Sequence, residues 1–161
     1  MGGLAVKKIA IMLATIIFIQ LGATSVFADY TDVSGHWALR FINELTDKKI
    51  VEGDNLAFRP DRNVNVDEFI KMVIAAMDIE VTPQPQNWSA PYIEKALQKQ
   101  LIYKDEFDKY NRPIKRCEIA KICVRAIGAD EVSGNERNEL ISRISDYYDI
   151  YNKDKEYVLA A

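Results

Sequence analysis

Trp37-Ala38-Leu39-Arg40-Phe41-Ile42-Asn43-Glu44-Leu45 and Trp88-Ser89-Ala90-Pro91-Tyr92-Ile93-Glu94-Lys95-Ala96 carry one pattern twice. Trp37, Phe41, Ile42, Leu45, Ile50 and Val51 recur as Trp88, Tyr92, Ile93, Ala96, Leu101 and Ile102, always 51 residues later. Further on, Val64, Glu68, Phe69, Lys71, Met72, Ala76 and Met77 recur as Ile114, Glu118, Ile119, Lys121, Ile122, Ala126 and Ile127, now 50 residues later. A period of this length marks a repeated supersecondary unit that cannot bury its apolar face alone and must pack on its neighbours. Function is then to be sought in the grooves between units.

Within each unit the apolar spacing is helical. Trp37, Phe41, Ile42 and Leu45 lie on one stripe, which predicts a helix from His36 to about Asp47. Gly53 and the Phe58-Arg59-Pro60 run interrupt it. Asn65 followed by Glu68 reads as a cap with a carboxylate at the third helical position, opening a second helix that carries Phe69, Ile70, Met72, Val73, Ala76 and Met77. In the second unit Ser89 is the expected cap, Pro91 sits in the first turn and the helix runs to about Gln100. Lys104 to Tyr110 has room for a short helical turn. The next helix takes Ile119, Ala120, Ile122, Cys123, Ala126 and Ile127 and stops at Gly128. Lys115 replaces Asn65 at its cap, a start expected to be weaker by about 1 kcal/mol.

A linking helix is expected over Gly134 to Ile144. A third unit then begins, since Tyr157, Val158 and Ala161 follow the spacing of Tyr92, Ile93 and Ala96. It has Lys153 where the others have tryptophan and stops after its first helix, which should leave apolar surface on the second unit uncovered unless another chain, a second copy or a membrane covers it. The expected fold class is all-α, divided into residues 1–28, 29–82, 83–130 and 131–161.

Residues 1–28 stand apart. Lys7 and Lys8 precede an apolar run from Ile9 to Ile19, and small residues lead to Val26-Phe27-Ala28, the order of a secretory signal peptide with cleavage after Ala28. Its loss removes two lysines and no acid, leaving 19 basic against 24 acidic residues, a balance that argues against a nucleic-acid partner. Cys117 and Cys123 are the only cysteines. On one helix they would be separated by about 9 Å of rise, too far for a disulfide. Cys123 stands where the first unit has Val73, which points to core packing.

Tyr30-Thr31-Asp32-Val33-Ser34-Gly35-His36-Trp37-Ala38 resembles the opening of an S-layer homology repeat, F-x-D-V-x-x-H-W-A. Phe58-x-Pro60, with Val64 and Glu68-Phe69, resembles that family's F-x-P and I-T-R-A-E-F blocks, and Ile114-Lys115-Arg116-Cys117-Glu118-Ile119-Ala120 resembles the latter more closely. The resemblance implies tandem helix–loop–helix repeats packed about a pseudo-threefold axis. It also implies a non-catalytic role, holding an anionic and often pyruvylated cell-wall glycopolymer or peptidoglycan-associated polysaccharide in the grooves, with no cofactor and a location in the cell wall or S-layer after secretion.

The residues fit that chemistry. A carboxylate-bearing sugar needs a cation and free backbone N–H groups, which Arg116 at a helix start would combine, with Lys115 and Lys121 adding to the local field. Trp37 and Trp88 offer flat faces for a sugar ring, or equally serve as core anchors of their helices. Gly53 admits a close ligand or simply permits a turn. Val66 occupies the family's arginine position in the first unit, so binding is expected to depend on Arg116. A degenerate repeat protein acting as a structural or protein-interaction element is the alternative.

Other chemistries fit less well. Asp61, Asn63, Asn65 and Asp67 alternate like a calcium loop, but Val66 and Met72 stand where the glycine and the final glutamate are needed. His36 is the only histidine, placed as a helix-start residue. The Asp105, Glu106, Asp108 run reads as a solvated face rather than an acid/base pair.

Overall fold

His36 to Ala38 form turns before the first helix begins. The His36 amide donates to the Val33 carbonyl at 3.0 Å, and His36 Nδ1 accepts the Ala38 amide at 3.1 Å, so the ring serves a helix start. Helix α1 follows over Leu39–Asp47, a little later than the stripe predicts because that capping turn uses the first residues. A computed structural model describes residues 30–82 and 84–161, and the signal-peptide reading of residues 1–28 lies outside them. The other helices are α2 (Val66–Ala76), α3 (Ala90–Gln98), α4 (Arg116–Ile127), α5 (Gly134–Arg143) and α6 (Asn152–Ala160). A 3-10 turn, Tyr147–Asp149, precedes α6. The described residues are helical, with two isolated β-bridges, Asp54 with Ala57 and Asn65 with Pro113, in place of any sheet.

Helix starts differ from the expectation in detail. Neither Asn65 nor Lys115 makes a side-chain cap hydrogen bond. Glutamate does the capping instead: Glu68 Oε2 accepts the Asn65 amide at 2.8 Å and Glu118 Oε2 accepts the Lys115 amide at 2.9 Å. Replacing Asn65 by Lys115 therefore removes no bond. Ser89 already has helical dihedrals and makes no capping bond, while Pro91 occupies the first turn of α3 as expected. Lys104 to Tyr110 holds turns and bends rather than a helix.

Helix ends match in pairs. Lys49 after α1 and Gln100 after α3 both turn left-handed, at φ 57° and 58°. Asp78 and Gly128 do the same after α2 and α4, at 55° and 65°. This brings the Ile79 amide to the Ile74 carbonyl at 3.2 Å and the Ala129 amide to the Val124 carbonyl at 3.1 Å.

Packing runs from the second helix of one pair to the first helix of the next: α2 lies on α3 and α4 lies on α6. The principal core joins Val66, Ile70 and Ile74 of α2 to Ala96, Leu101, Ile102, Phe107 and Ile122. Each large aliphatic side chain buried there contributes about 1.5–3 kcal/mol of transfer free energy. Backbone bonds fasten the start of α2 to the loop before α4. The Val66 and Asp67 amides donate to the carbonyls of Arg112 and Tyr110, and the Ile114 amide donates to Val64, all at 3.0 Å. A smaller cluster of Tyr30, Val33 and Ile42 holds α1 against Phe58.

Candidate functional site

The loop after α1 returns along α2 and leaves a cleft of about 500 Å³ between itself, α2 and the start of α3. Gly53, Phe58 and Arg59 line one wall, Glu68 and Lys71 of α2 the floor, and Trp88 and Tyr92 the far side. Asp32 fixes the loop wall. Its carboxylate accepts the Phe58 amide at 2.9 Å and the Arg59 amide at 2.6 Å, and these bonds hold its pKa below the usual aspartate range.

Gly53 is dictated by a close approach, though the neighbour is protein. A Cβ there would lie 2.4 Å from the Tyr30 ring and 2.5 Å from the Ala57 carbonyl oxygen, and the Gly53 amide donates to the Tyr30 hydroxyl at 2.8 Å. Trp88 keeps 45% of its surface exposed, so its ring faces the cleft opening. The Lys71 ammonium lies 6.0 Å from the centre of the Tyr92 ring.

Three cations reach the cleft, each with a carboxylate partner. Arg62 pairs with Glu68 at 2.6 Å, Arg59 with Asp54 at 3.3 Å, and Lys71 with Glu52. Burial raises the Glu68 pKa, but the Arg62 guanidinium and the Asn65 amide outweigh it and hold the carboxyl below its ordinary value. The cleft thus offers an aromatic platform ringed by hydrogen-bond donors and acceptors, the equipment for a sugar ring and its hydroxyls.

Of the residues singled out in the sequence, Trp88 and Gly53 come together here. Trp37 is 80% exposed and lies outside, its ring against His36 and Phe41. Arg116 opens α4 and is exposed, as is Lys115. Lys121 is inside the protein, its side chain 5% exposed. Arg59, Arg62 and Asp32 were not singled out as site residues in the sequence: Asp32 acts through amides 26 and 27 residues away, and the cleft takes its far side, Trp88 and Tyr92, from the next unit.

Lys121 belongs to the second helix junction, between α4 and α6. Its ammonium lies 5.9 Å from the Tyr157 ring centre, matching Lys71 over Tyr92. There the resemblance ends. Lys121 is 2.5 Å from Asp154 and 3.2 Å from Glu106, while Arg125 bonds Glu106 at 2.7 Å and stacks on Tyr103 and Tyr157. Burial lowers the Lys121 pKa, but Asp154 and Glu106 raise it further than burial lowers it, so the ammonium stays charged. A buried ion cluster fills this junction, whereas the first stays open.

The half-exposed indole beside a fixed loop and paired cations is where comparison with known families bears. Residues 29–70 match the family model of the S-layer homology domain. The match begins just before Tyr30 and ends inside α2, taking in the Asp32 anchor, Gly53 and Arg62. That domain is generally a non-catalytic module anchoring proteins to the cell wall. Comparison with curated proteins finds no match.

Proposed function

We propose that this chain is a non-catalytic cell-envelope anchor that holds a secondary cell-wall polysaccharide, anionic and pyruvylated, in the cleft beside Trp88. The observation that carries this reading is the open cleft itself. It puts an accessible indole next to Arg59, Arg62 and Lys71, within a segment whose first wall belongs to the matched domain. The sugar ring rests on Trp88, its hydroxyls exchange hydrogen bonds with the rim, and its carboxylate draws a guanidinium from an exposed partner such as Asp54. Arg116 and Lys115 give the polymer a second, exposed cationic contact at the start of α4.

On the same reading the chain is secreted after cleavage behind Ala28. It then comprises S-layer homology repeats at 29–82 and 83–130 with a partial third at 131–161, disposed about a pseudo-threefold axis. The equivalent helix ends, the two glutamate caps and the paired Lys71–Tyr92 and Lys121–Tyr157 contacts support the repeats.

A specific observation favours the alternative of a structural element without glycan binding: every cation in the cleft already has a carboxylate partner. Co-sedimentation with purified wall material separates the two. Glycan binding predicts retention that weakens several-fold in Trp88→Ala and after mild acid removes pyruvate from the polymer, with Arg116→Ala losing less. No retention of the parent protein sinks the anchoring proposal.

A further inference from the structure

Asp67 stands beside Glu68 at the start of α2, but the capping and the ion pair there belong to Glu68. Asp67 is only 7% exposed, and its carboxylate takes one bond among the described residues, from the adjacent Glu68 amide to Oδ1 at 2.9 Å. Burial raises its pKa, because that amide and the Arg62 charge, beyond ion-pair distance, do not make up for the lost water. The repeat does not call for an acid at this position, since the corresponding residue of α4 is Cys117. A buried carboxylate without a cation is costly unless something outside the chain pairs with it.

Asp67 lines an open hollow of about 550 Å³ bounded by the start of α2, helix α3 and the loop before α4. Glu94 of α3 adds a second carboxylate, and no lysine or arginine lines the space. Leu97 and the Tyr110 ring supply apolar surface, and Asn87 and Asn111 bring exposed side-chain amides. The Asp67 amide donates to the Tyr110 carbonyl at 3.0 Å, so the loop carrying Tyr110 and Asn111 is tied to the residue that bears the buried charge. A bare metal ion suits this lining poorly: no group of three acidic, cysteine or histidine ligands gathers among the described residues, and the apolar surface would be left unused. An ammonium on a carbon body uses all of it, the charge on Asp67 and the body on Tyr110 and Leu97.

We propose that this hollow binds an amino sugar through its free ammonium, which pairs with Asp67 while the ring lies against Tyr110 and the hydroxyls bond Asn87 and Asn111. A plain alkylammonium is the poorer occupant, because it leaves both amides without a partner. The hollow shares no lining residue with the cleft beside Trp88, so either site can fail alone.

The test titrates glucosamine into the 15N-labelled protein at neutral pH, with N-acetylglucosamine, hexylamine and calcium chloride as comparisons at equal ionic strength. Glucosamine should shift the side-chain amide signals of Asn87 and Asn111 saturably. N-acetylglucosamine should bind about ten-fold more weakly or worse, because acetylation removes the charge. Asp67→Asn keeps the shape of the side chain and an acceptor for the Glu68 amide, and it should cost glucosamine a similar factor with the remaining backbone signals in place. Arg59→Ala, in the other cleft, should leave glucosamine binding as it was. Absence of a saturable shift overturns the proposal, as does binding that survives Asp67→Asn or that N-acetylglucosamine matches. Hexylamine binding as tightly as glucosamine makes the hollow an alkylammonium site, calcium moving the same signals makes it a simple cation site, and loss in Arg59→Ala moves the sugar to the first cleft. Each of these overturns it equally.

Discussion

Arg112 clasps Glu118 through two hydrogen bonds, Nη1 to Oε2 at 2.9 Å and Nη2 to Oε1 at 2.7 Å. The same carboxylate accepts the Lys115 amide, so one glutamate fixes both the loop before α4 and the first turn of the helix. Arg62 and Glu68 repeat the arrangement at α2 with a bond of 2.6 Å. The bidentate Arg112–Glu118 pair secures the start of α4, whose cap residue, Lys115, supplies no side-chain acceptor.

Glu118→Gln should therefore lower stability by about 1.5–3 kcal/mol, measured by urea unfolding at neutral pH. The pair also sets an acid limit. Burial raises the Glu118 pKa, but Arg112 and the Lys115 amide pull it below the ordinary value of 4.5. A depressed folded pKa contributes stability that is present above the unfolded value and lost as pH falls through the folded one. The parent should lose stability as pH drops below about 4.5, and Glu118→Gln should lose less over that window.

Gly53→Ala should destabilise by about 1–3 kcal/mol, because the added methyl overlaps the Tyr30 ring and the Ala57 carbonyl oxygen. The cause is crowding rather than a left-handed backbone. Tyr30→Ala should therefore remove part of the penalty in a double-mutant cycle.

Asp78→Gly should stabilise by about 1 kcal/mol. Asp78 holds φ 55° where its counterpart, Gly128, holds 65°, and an L side chain in that region is disfavoured relative to glycine. Thermal unfolding would show it as a raised midpoint. Gly128→Asp should shift the midpoint the other way.

The helices were legible because their stripes are local, and both second helices begin within a residue of the positions the repeat implied. Caps were harder. Asn65 and Ser89 suit a capping role by composition, but the glutamate three residues into α2 and the intrinsic helical turn at Ser89 decided otherwise. The site divided along the same line. Trp88 and Gly53 are in the cleft, while Lys121, read as a ligand cation, is buried, and Glu106, read as part of a solvated acidic run, faces it. Those partners lie 15 and 33 residues from Lys121, so no local pattern announces them. Arg59 reaches the cleft on a loop that Asp32, far back in the chain, ties down, and Arg62 is held there by Glu68.

Lys121 offers a test that separates architecture from binding. Its ammonium is the charge facing Asp154 Oδ1, an atom with no aligned hydrogen-bond donor, and it shares Glu106 with Arg125. Lys121→Met keeps the volume of the side chain but leaves Asp154 buried and uncompensated, a loss of about 3–5 kcal/mol by the usual cost of breaking a buried pair from one side. Replacing both partners, Lys121→Met with Asp154→Leu, should recover most of it, since the lone charge is then gone. Unfolding by urea measures both. Any wall binding by the folded Lys121→Met protein at low temperature should match the parent, because the cleft beside Trp88 lies at the other junction. A variant that kept its stability but lost retention on wall material would instead place Lys121 against the glycan.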